Sequence, residues 1–116
     1  MPDTLRINID PNSDGIAVMH LTGRLDFASA PEARDRFTAA IAEGHPLLIV
    51  DLSGASFVDN AGLGSLIGSM RAARQAGGDL RITDPSEQAT MLLSLTSLDS
   101  VITISPTVEA ALRDVS

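Results

Sequence analysis

The residue types best suited to chemistry lie together in residues 51–64, where an apolar run gives way to polar residues and then to helical spacing. Phe57 and Val58 are interpreted as anchors of a loop, and Asp59 and Asn60 as the start of a helix. Both polar types accept hydrogen bonds from the unpaired N–H groups of a first helical turn, and an acidic side chain there matches the helix dipole.

Gly62 and Gly64 remove side chains from this first turn, at a cost in helix propensity of about 1 kcal/mol each. Two explanations stay open. The turn packs tightly against a sheet, or the helix start is kept open for an anion, a phosphoryl group or the backbone of a partner. A phosphate-binding loop is disfavoured, because neither G-x-x-x-x-G-K-[ST] nor G-x-G-x-x-G occurs and no lysine is near.

The rest of the chain offers little catalytic chemistry. It has no cysteine, tyrosine or tryptophan, which excludes disulfides and thiolate catalysis. His20 is interpreted as a packed, hydrogen-bonded strand residue and His45 as an exposed turn residue, and Asp51 and Asp59 would form an acid–base pair only if they converged. We expect a protein that is not an enzyme and that uses neither a cofactor nor a metal.

Length and composition predict one domain over residues 1–116, with 44% hydrophobic residues to build a core. The net charge of −7 argues against nucleic acid and anionic membranes as partners. It suits a basic protein partner or simply an acidic surface. Neither a signal peptide nor an apolar stretch of about 20 residues is present, so we expect a cytoplasmic protein, and a monomer because no exposed apolar cluster is obvious.

Apolar periodicity predicts five strands. Alternation marks strands at 5–9 and 16–21, separated by turn formers at 11–15, and a continuous apolar run marks a buried strand at 47–50. Two further strands are predicted at 80–83 and 101–104.

Four helices are predicted between and after these strands. The first is capped by Asp26 or Ser29 and ends at Gly44, and the second runs from the Asp59–Asn60 start to Gly77. The third is capped by Asp84. The apolar positions of the third and fourth helices predict their buried faces: Met91, Leu92 and Leu95, then Val108, Ala111, Leu112 and Val115.

The predicted order β-β-α-β-α-β-α-β-α defines an α/β domain whose sheet is mostly parallel, with an antiparallel strand at its N-terminal end. Strands covered on both faces are nearly all apolar, whereas the outer strands here alternate. We therefore expect the helices mainly on one face.

Several motifs together resemble one family. Residues 51–64 resemble the hallmark D-L-S-x-x-x-F-x-D-S-x-G-L-G of STAS domains in anti-sigma factor antagonists. Residues 21–26 resemble the family's L-T-G-x-L-D, residues 75–78 its second helix end, and residues 93–99 its L-x-L-T-G-L-D. The resemblance extends over essentially the whole chain.

This resemblance implies a partner-switching module. Such domains bind an anti-sigma factor with a GHKL-type ATPase fold and so release a sigma factor for transcription. The partner is often a kinase that phosphorylates the serine after the second aspartate, and the added charge breaks the complex.

The sequence departs from the family at this serine. Asn60 occupies its position and Ala61 follows, so phosphorylation at the usual site is not expected. The neutral Asn60 is expected to resemble the unphosphorylated, binding-competent state. Ser56 and Ser65 are the nearest other hydroxyls.

Arg24 is a second departure, at a position that is often acidic in the family, and is either a recognition residue or an exposed arginine without a partner. Asp26 is either a helix cap or part of the partner-facing rim. The predicted partner-binding residues are Arg24, Asp26, Ser56, Asp59, Asn60, Ala61, Gly62, Leu63 and Gly64. The alternatives are a STAS subunit of a lipid-transport or stressosome assembly and a module that binds a small molecule or anion.

Overall fold

The computed structural model describes residues 3–11 and 14–115, and its elements follow the predicted order. Asn12 and Ser13 of the predicted turn lie outside the described residues. The strands are β1 Arg6–Pro11, β2 Ile16–Leu25, β3 Leu47–Val58, β4 Asp79–Thr83 and β5 Ile104–Ser105. The helices are α1 Ala30–Ala42, α2 Asn60–Gln75, α3 Glu87–Leu95 and α4 Val108–Val115, with a short 3₁₀ turn at Leu98–Ser100.

The five strands form one sheet in the order β1-β2-β3-β4-β5. β1 pairs antiparallel with β2, and the other neighbours pair in parallel, as predicted. The parallel order follows from the helical crossovers, which return the chain to the same end of the sheet.

The helices lie mainly on one face, as predicted. Leu48 and Val50 of β3 belong to the large core that α1, α2 and α3 cover, whereas Ile49 between them belongs to a smaller cluster with Ala111 of α4. Because successive strand side chains point to opposite faces, β3 is buried on both sides, which accounts for its continuous apolar run.

β2 and β3 are longer than predicted. β2 continues past Leu21 to Leu25, and β3 continues past Val50 to Val58, so the predicted loop after Val50 is wrong. Residues 22–25 pair with residues 54–58 through two register shifts. Polar and glycine residues at 51–54 are typical of a loop, but backbone pairing between two adjacent strands overrides that preference.

α3 differs most from its predicted form. Its N-cap is Ser86, whose Oγ accepts a hydrogen bond from the Ala89 N–H at 3.1 Å, and Asp84 is not the cap. The predicted buried face is also wrong at two of its three positions, since Met91 is 62% exposed and Leu95 is 77% exposed. Ala89 and Leu93 are buried instead, with Leu92 partly buried against the core.

The last strand is also displaced. It covers Ile104–Ser105 and not residues 101–104, because residues 98–100 form the 3₁₀ turn and delay the pairing with β4. α4 then packs as predicted, with Ala111 buried and its other three predicted positions partly buried beside it.

Candidate protein-interaction site

Asp59 fixes the start of α2 and ties it to the loop between β2 and α1. Its Oδ1 accepts a hydrogen bond from the Gly62 N–H at 2.8 Å, which confirms the predicted cap. Its Oδ2 accepts another from the Phe27 N–H at 3.0 Å, and its own N–H donates to the Leu25 carbonyl oxygen at 3.2 Å. The first turn of α2 is therefore held against the end of β2.

The two glycines of this turn lie in different surroundings, and only one of them is required by packing. A Cβ on Gly62 would overlap the carbonyl oxygen of Leu25, so close packing accounts for Gly62. A Cβ on Gly64 would have no atom within 4 Å, and Gly64 is exposed. Of the two explanations that the sequence leaves open, packing applies to Gly62, and an open surface applies to Gly64.

The outer part of the turn consists of Asn60 and Ala61, both exposed. Neither carries a charge or a hydroxyl group. The Asp59 carboxylate already takes the Gly62 N–H that a bound anion would use. At Gly62, therefore, the N–H group that an anion site would use is already engaged.

Asp26 organises the neighbouring loop. Its Oδ1 accepts hydrogen bonds from the Ala28 and Ser29 N–H groups at 3.1 and 3.2 Å, and its N–H donates to the Ser29 Oγ at 3.0 Å. Burial alone would raise the pKa of Asp26, but the hydrogen bonds from Ser29, Arg24 and Ala28 outweigh it and lower the pKa. Ser29 occupies the N-cap position of α1 without a side-chain capping bond, so neither predicted cap acts through its side chain on the helix.

Arg24 lies in β2 and has partners on two sides. Its guanidinium carbon lies 4.4 Å from the centre of the Phe57 ring, and its Nε lies 3.3 Å from Asp26 Oδ2. The interpretation of Arg24 as an arginine without a partner is therefore wrong. Stacking on an aromatic ring holds this exposed cation in one place beside the loop.

The remaining predicted residues divide by exposure. Ser56 is exposed, with its Oγ 3.4 Å from Asp3 Oδ1. Leu63 is buried in the large core. Ser65 is buried too, and its Oγ donates to the Gly62 carbonyl oxygen at 2.6 Å, so its hydroxyl is not accessible.

Gln88 at the start of α3 is a positioning residue that sequence reasoning missed. Its Nε2 donates to the Val58 carbonyl oxygen at 2.6 Å, and its Oε1 accepts from the Val58 N–H at 3.0 Å. β4 pairs with β3 only as far as Asp51, so Gln88 supplies at Val58 the backbone partners that a strand would supply. A glutamine in a first helical turn carries no sequence signal for such a contact.

A second polar group lies on the α4 face of the sheet. His20 Nδ1 is 2.7 Å from Asp51 Oδ2, beside a cleft of about 440 Å³. Burial alone would raise the pKa of Asp51, but the hydrogen bonds from Ser53 and His20 outweigh it and lower the pKa. His20 is hydrogen-bonded as predicted, but its side chain is 41% exposed, so the expectation of a packed histidine is wrong. Asp51 pairs with His20 and not with Asp59.

Two kinds of feature are missing from the described part of the chain. Within residues 3–11 and 14–115, no group of three or more His, Asp or Glu side chains could hold a metal ion. Over the same residues, none of the helices is both long and apolar enough to cross a membrane.

Comparison with known proteins identifies related chains. A sequence model of the STAS domain matches residues 9–111. The chain is 31% identical over 111 residues to the anti-sigma-B factor antagonist of Bacillus subtilis strain 168, covering 94% of this chain and 100% of that protein.

Solved structures show the same fold. An anti-sigma factor antagonist from Mycobacterium paratuberculosis is similar with a TM-score of 0.86 at 25% identity, covering 98% of this chain and 96% of that one. The unphosphorylated form of the anti-sigma factor antagonist SpoIIAA gives a TM-score of 0.81 at 23% identity and covers 95% of this chain and 96% of that one. The phosphorylated form of the Bacillus SpoIIAA gives 0.75 at 22% identity and covers 96% and 100%.

Proposed function

The chain belongs to the STAS domain family, and from this premise we propose that it is an anti-sigma factor antagonist. In this proposal it binds an anti-sigma factor of the GHKL ATPase and kinase fold and so frees a sigma factor for transcription. The name of the Bacillus subtilis relative supports this role. The protein acts by binding and not by catalysis, in the cytoplasm.

The observation that carries the proposal is the outer side of the first turn of α2, which is exposed and uncharged and is anchored by hydrogen bonds. Asn60 and Ala61 face solvent, while Asp59 bonds both the helix and the preceding loop. A surface that is already ordered loses little conformational entropy when a partner binds. This is the property that a binding module needs at its contact surface.

The proposed site has two parts. Six exposed or partly exposed residues contact the partner: Arg24, Asp26, Ser56, Asn60, Ala61 and Gly64. Asp59, Gly62 and Leu63 position the turn, because Gly62 and Leu63 are buried and both carboxylate oxygens of Asp59 are engaged.

Asn60 makes the site independent of phosphorylation in this proposal. It stands where the family motif has serine, and an amide side chain cannot accept a phosphoryl group. Ser65 is buried with its hydroxyl engaged, which leaves Ser56 as the accessible hydroxyl of the two nearest. The abundance of the protein, or a switch in its partner, then controls binding.

Titration calorimetry tests the proposal with each GHKL-type anti-sigma factor of the source genome, expressed and purified. Wild type should bind at least one of them, and Asn60→Asp should weaken that binding by at least about tenfold, because it places a negative charge in the contact surface. Asn8→Asp makes the same chemical change on the exposed side of β1 and should leave the affinity unchanged.

Three outcomes count against the proposal in different ways. Failure of wild type to bind any of these proteins contradicts the function. Equal binding by wild type and Asn60→Asp contradicts the site. A phosphate on wild-type Ser56 after incubation with the partner and ATP, seen by intact mass, contradicts the independence from phosphorylation. The monomeric state stays a prediction, and sedimentation of the same samples measures it.

A further inference from the structure

A groove of about 470 Å³ lies between the first turns of α1 and α2, next to the proposed contact surface. Phe27, Pro31 and Arg34 line one side, and Ala61 and Gly64 line the other. Ala61 and Gly64 belong to the proposed site, whereas the other three residues carry no signal in the family motifs. The groove therefore extends the proposed surface toward α1.

The floor of the groove at Gly64 is bare backbone. A side chain at this position would meet no atom within 4 Å, so the space above it is open. Packing does not require a glycine here, in contrast to Gly62. A glycine here makes the helix less stable by about 1 kcal/mol than an alanine would. No close packing contact within the protein explains why the position is a glycine.

Phe27 forms an unusually exposed wall of the groove. Its side chain is 76% exposed, although its backbone N–H is fixed by the hydrogen bond to Asp59. A large aromatic residue on a fixed backbone buries much area with little loss of freedom, and such residues are enriched among the main contributors to binding.

Arg34 supplies the charge of the groove. Among the described residues that line it, Arg34 is the only charged one. Its guanidinium lies over Gly68 and forms no salt bridge with an acidic residue in the described part of the chain. On a protein with a net charge of −7, this is a local positive site that complements a carboxylate.

We propose that this groove receives an apolar side chain of the anti-sigma factor, with a neighbouring carboxylate of the same segment pairing with Arg34. The inference rests on the proposed function and deepens it by assigning the recognition chemistry. The apolar side chain packs over Gly64 against Phe27, and the carboxylate lies at the rim.

Calorimetry with the purified anti-sigma factor that binds wild type tests this assignment. Gly64→Leu fills the groove and should weaken binding by at least about tenfold, and Phe27→Ala removes its wall and should do the same. Arg34→Glu should weaken binding by about three- to tenfold, with an effect that shrinks as salt is added.

Matched control variants distinguish the loss of contacts in the groove from a general effect of side-chain size or net charge. Ala39→Leu adds a leucine to an exposed position further along α1, and Arg113→Glu changes the net charge by the same amount on α4, which covers the opposite face of the sheet. Both should bind like wild type. Thermal unfolding followed by circular dichroism should show that every variant is folded.

The same measurements test the groove assignment separately from the proposed function on which it rests. If wild type binds and the three groove variants bind equally well, the proposed function is supported and the groove assignment is contradicted. If wild type binds no anti-sigma factor, both fall. If the groove variants instead change a self-association seen by sedimentation, the occupant is a second copy of this chain and the assignment to an anti-sigma factor is overturned.

Discussion

Two helix starts meet at Val58, and they are held by different chemistry. α2 begins directly after Val58, and the Asp59 carboxylate fixes its first turn. α3 reaches Val58 from elsewhere in the chain through the Gln88 amide, and its own cap is the Ser86 hydroxyl. The start of α2 thus depends on an ionisable group, and the start of α3 on neutral ones.

The difference shows why one helix was predicted well and the other was not. The cap of α2 lies next to its helix in sequence, so its pattern is local. The rotation of α3 about its axis involves contacts with distant segments, among them the hydrogen bonds of Gln88 to Val58, 30 residues away. The buried Ala89 and Leu93 differ by two positions from Met91 and Leu95, which corresponds to a rotation of about 200°.

The largest effect on stability should come from replacing a leucine on the buried face of α3 by alanine, in comparison with the same replacement on its exposed face. Leu93→Ala removes a buried side chain and should lower the free energy of unfolding by about 3 kcal/mol. Leu95→Ala, on the exposed face, should change it by less than about 0.5 kcal/mol. Urea unfolding followed by circular dichroism measures both, and a larger loss at Leu95 would show that the described rotation of α3 is wrong.

A smaller effect should follow from removing the link between the two helix starts. Gln88→Ala leaves the buried N–H and carbonyl groups of Val58 without their side-chain partner and should destabilise the protein by about 2 kcal/mol. Thr90→Ala, an exposed change on the same helix, is the control and should stay within about 0.5 kcal/mol. Equal unfolding curves for the two variants would mean that Gln88 does not support β3.

The smallest effect should be a difference in acid sensitivity. The pKa of Asp26 lies below its ordinary value of 3.8. Its ionised form therefore stabilises the loop before α1 at pH values above about 4, and this contribution is lost as the pH falls through the lowered native pKa. No such titration affects the Ser86 hydroxyl or the Gln88 amide.

NMR spectra recorded between pH 6 and pH 2 would test this difference. The amides of Ala28 and Ser29, which donate to Asp26, should shift with the carboxylate, and the Ala89 amide should shift less over the same range. Arg24→Ala removes the side chain that contributes most to this lowering and should bring the pKa of Asp26 back toward its ordinary value. A titration of wild-type Asp26 at or above that value would contradict the described loop.

Local patterns in the sequence were sufficient for the element order, the sheet type and the cap at Asp59. They failed where contacts between distant segments decide the outcome. The strand ends at Leu25 and Val58 depend on pairing between β2 and β3. The polar residues within residues 51–54 are typical of a loop, so the sequence gives no sign of that pairing. Asp84 looked like a cap, but its N–H bonds to the Ser105 carbonyl oxygen and so extends the strand pairing, and the helix starts later.

The candidate site was predicted from residues 56–64 together with Arg24 and Asp26, and the groove residues on α1 were not part of that prediction. Phe27 and Arg34 come from a different element, and only the fold places them beside Ala61 and Gly64. Arg24 was identified, but its stacking on Phe57 depends on the shifted register of β2 and β3.

Gly62 and Gly64 differ in how freely another residue could replace them. Any side chain at position 62 collides with the end of β2, so selection for folding alone fixes that residue. Position 64 is under no such constraint, and most replacements there favour the helix. A substitution at position 64 can therefore change the shape of this surface while the fold stays intact.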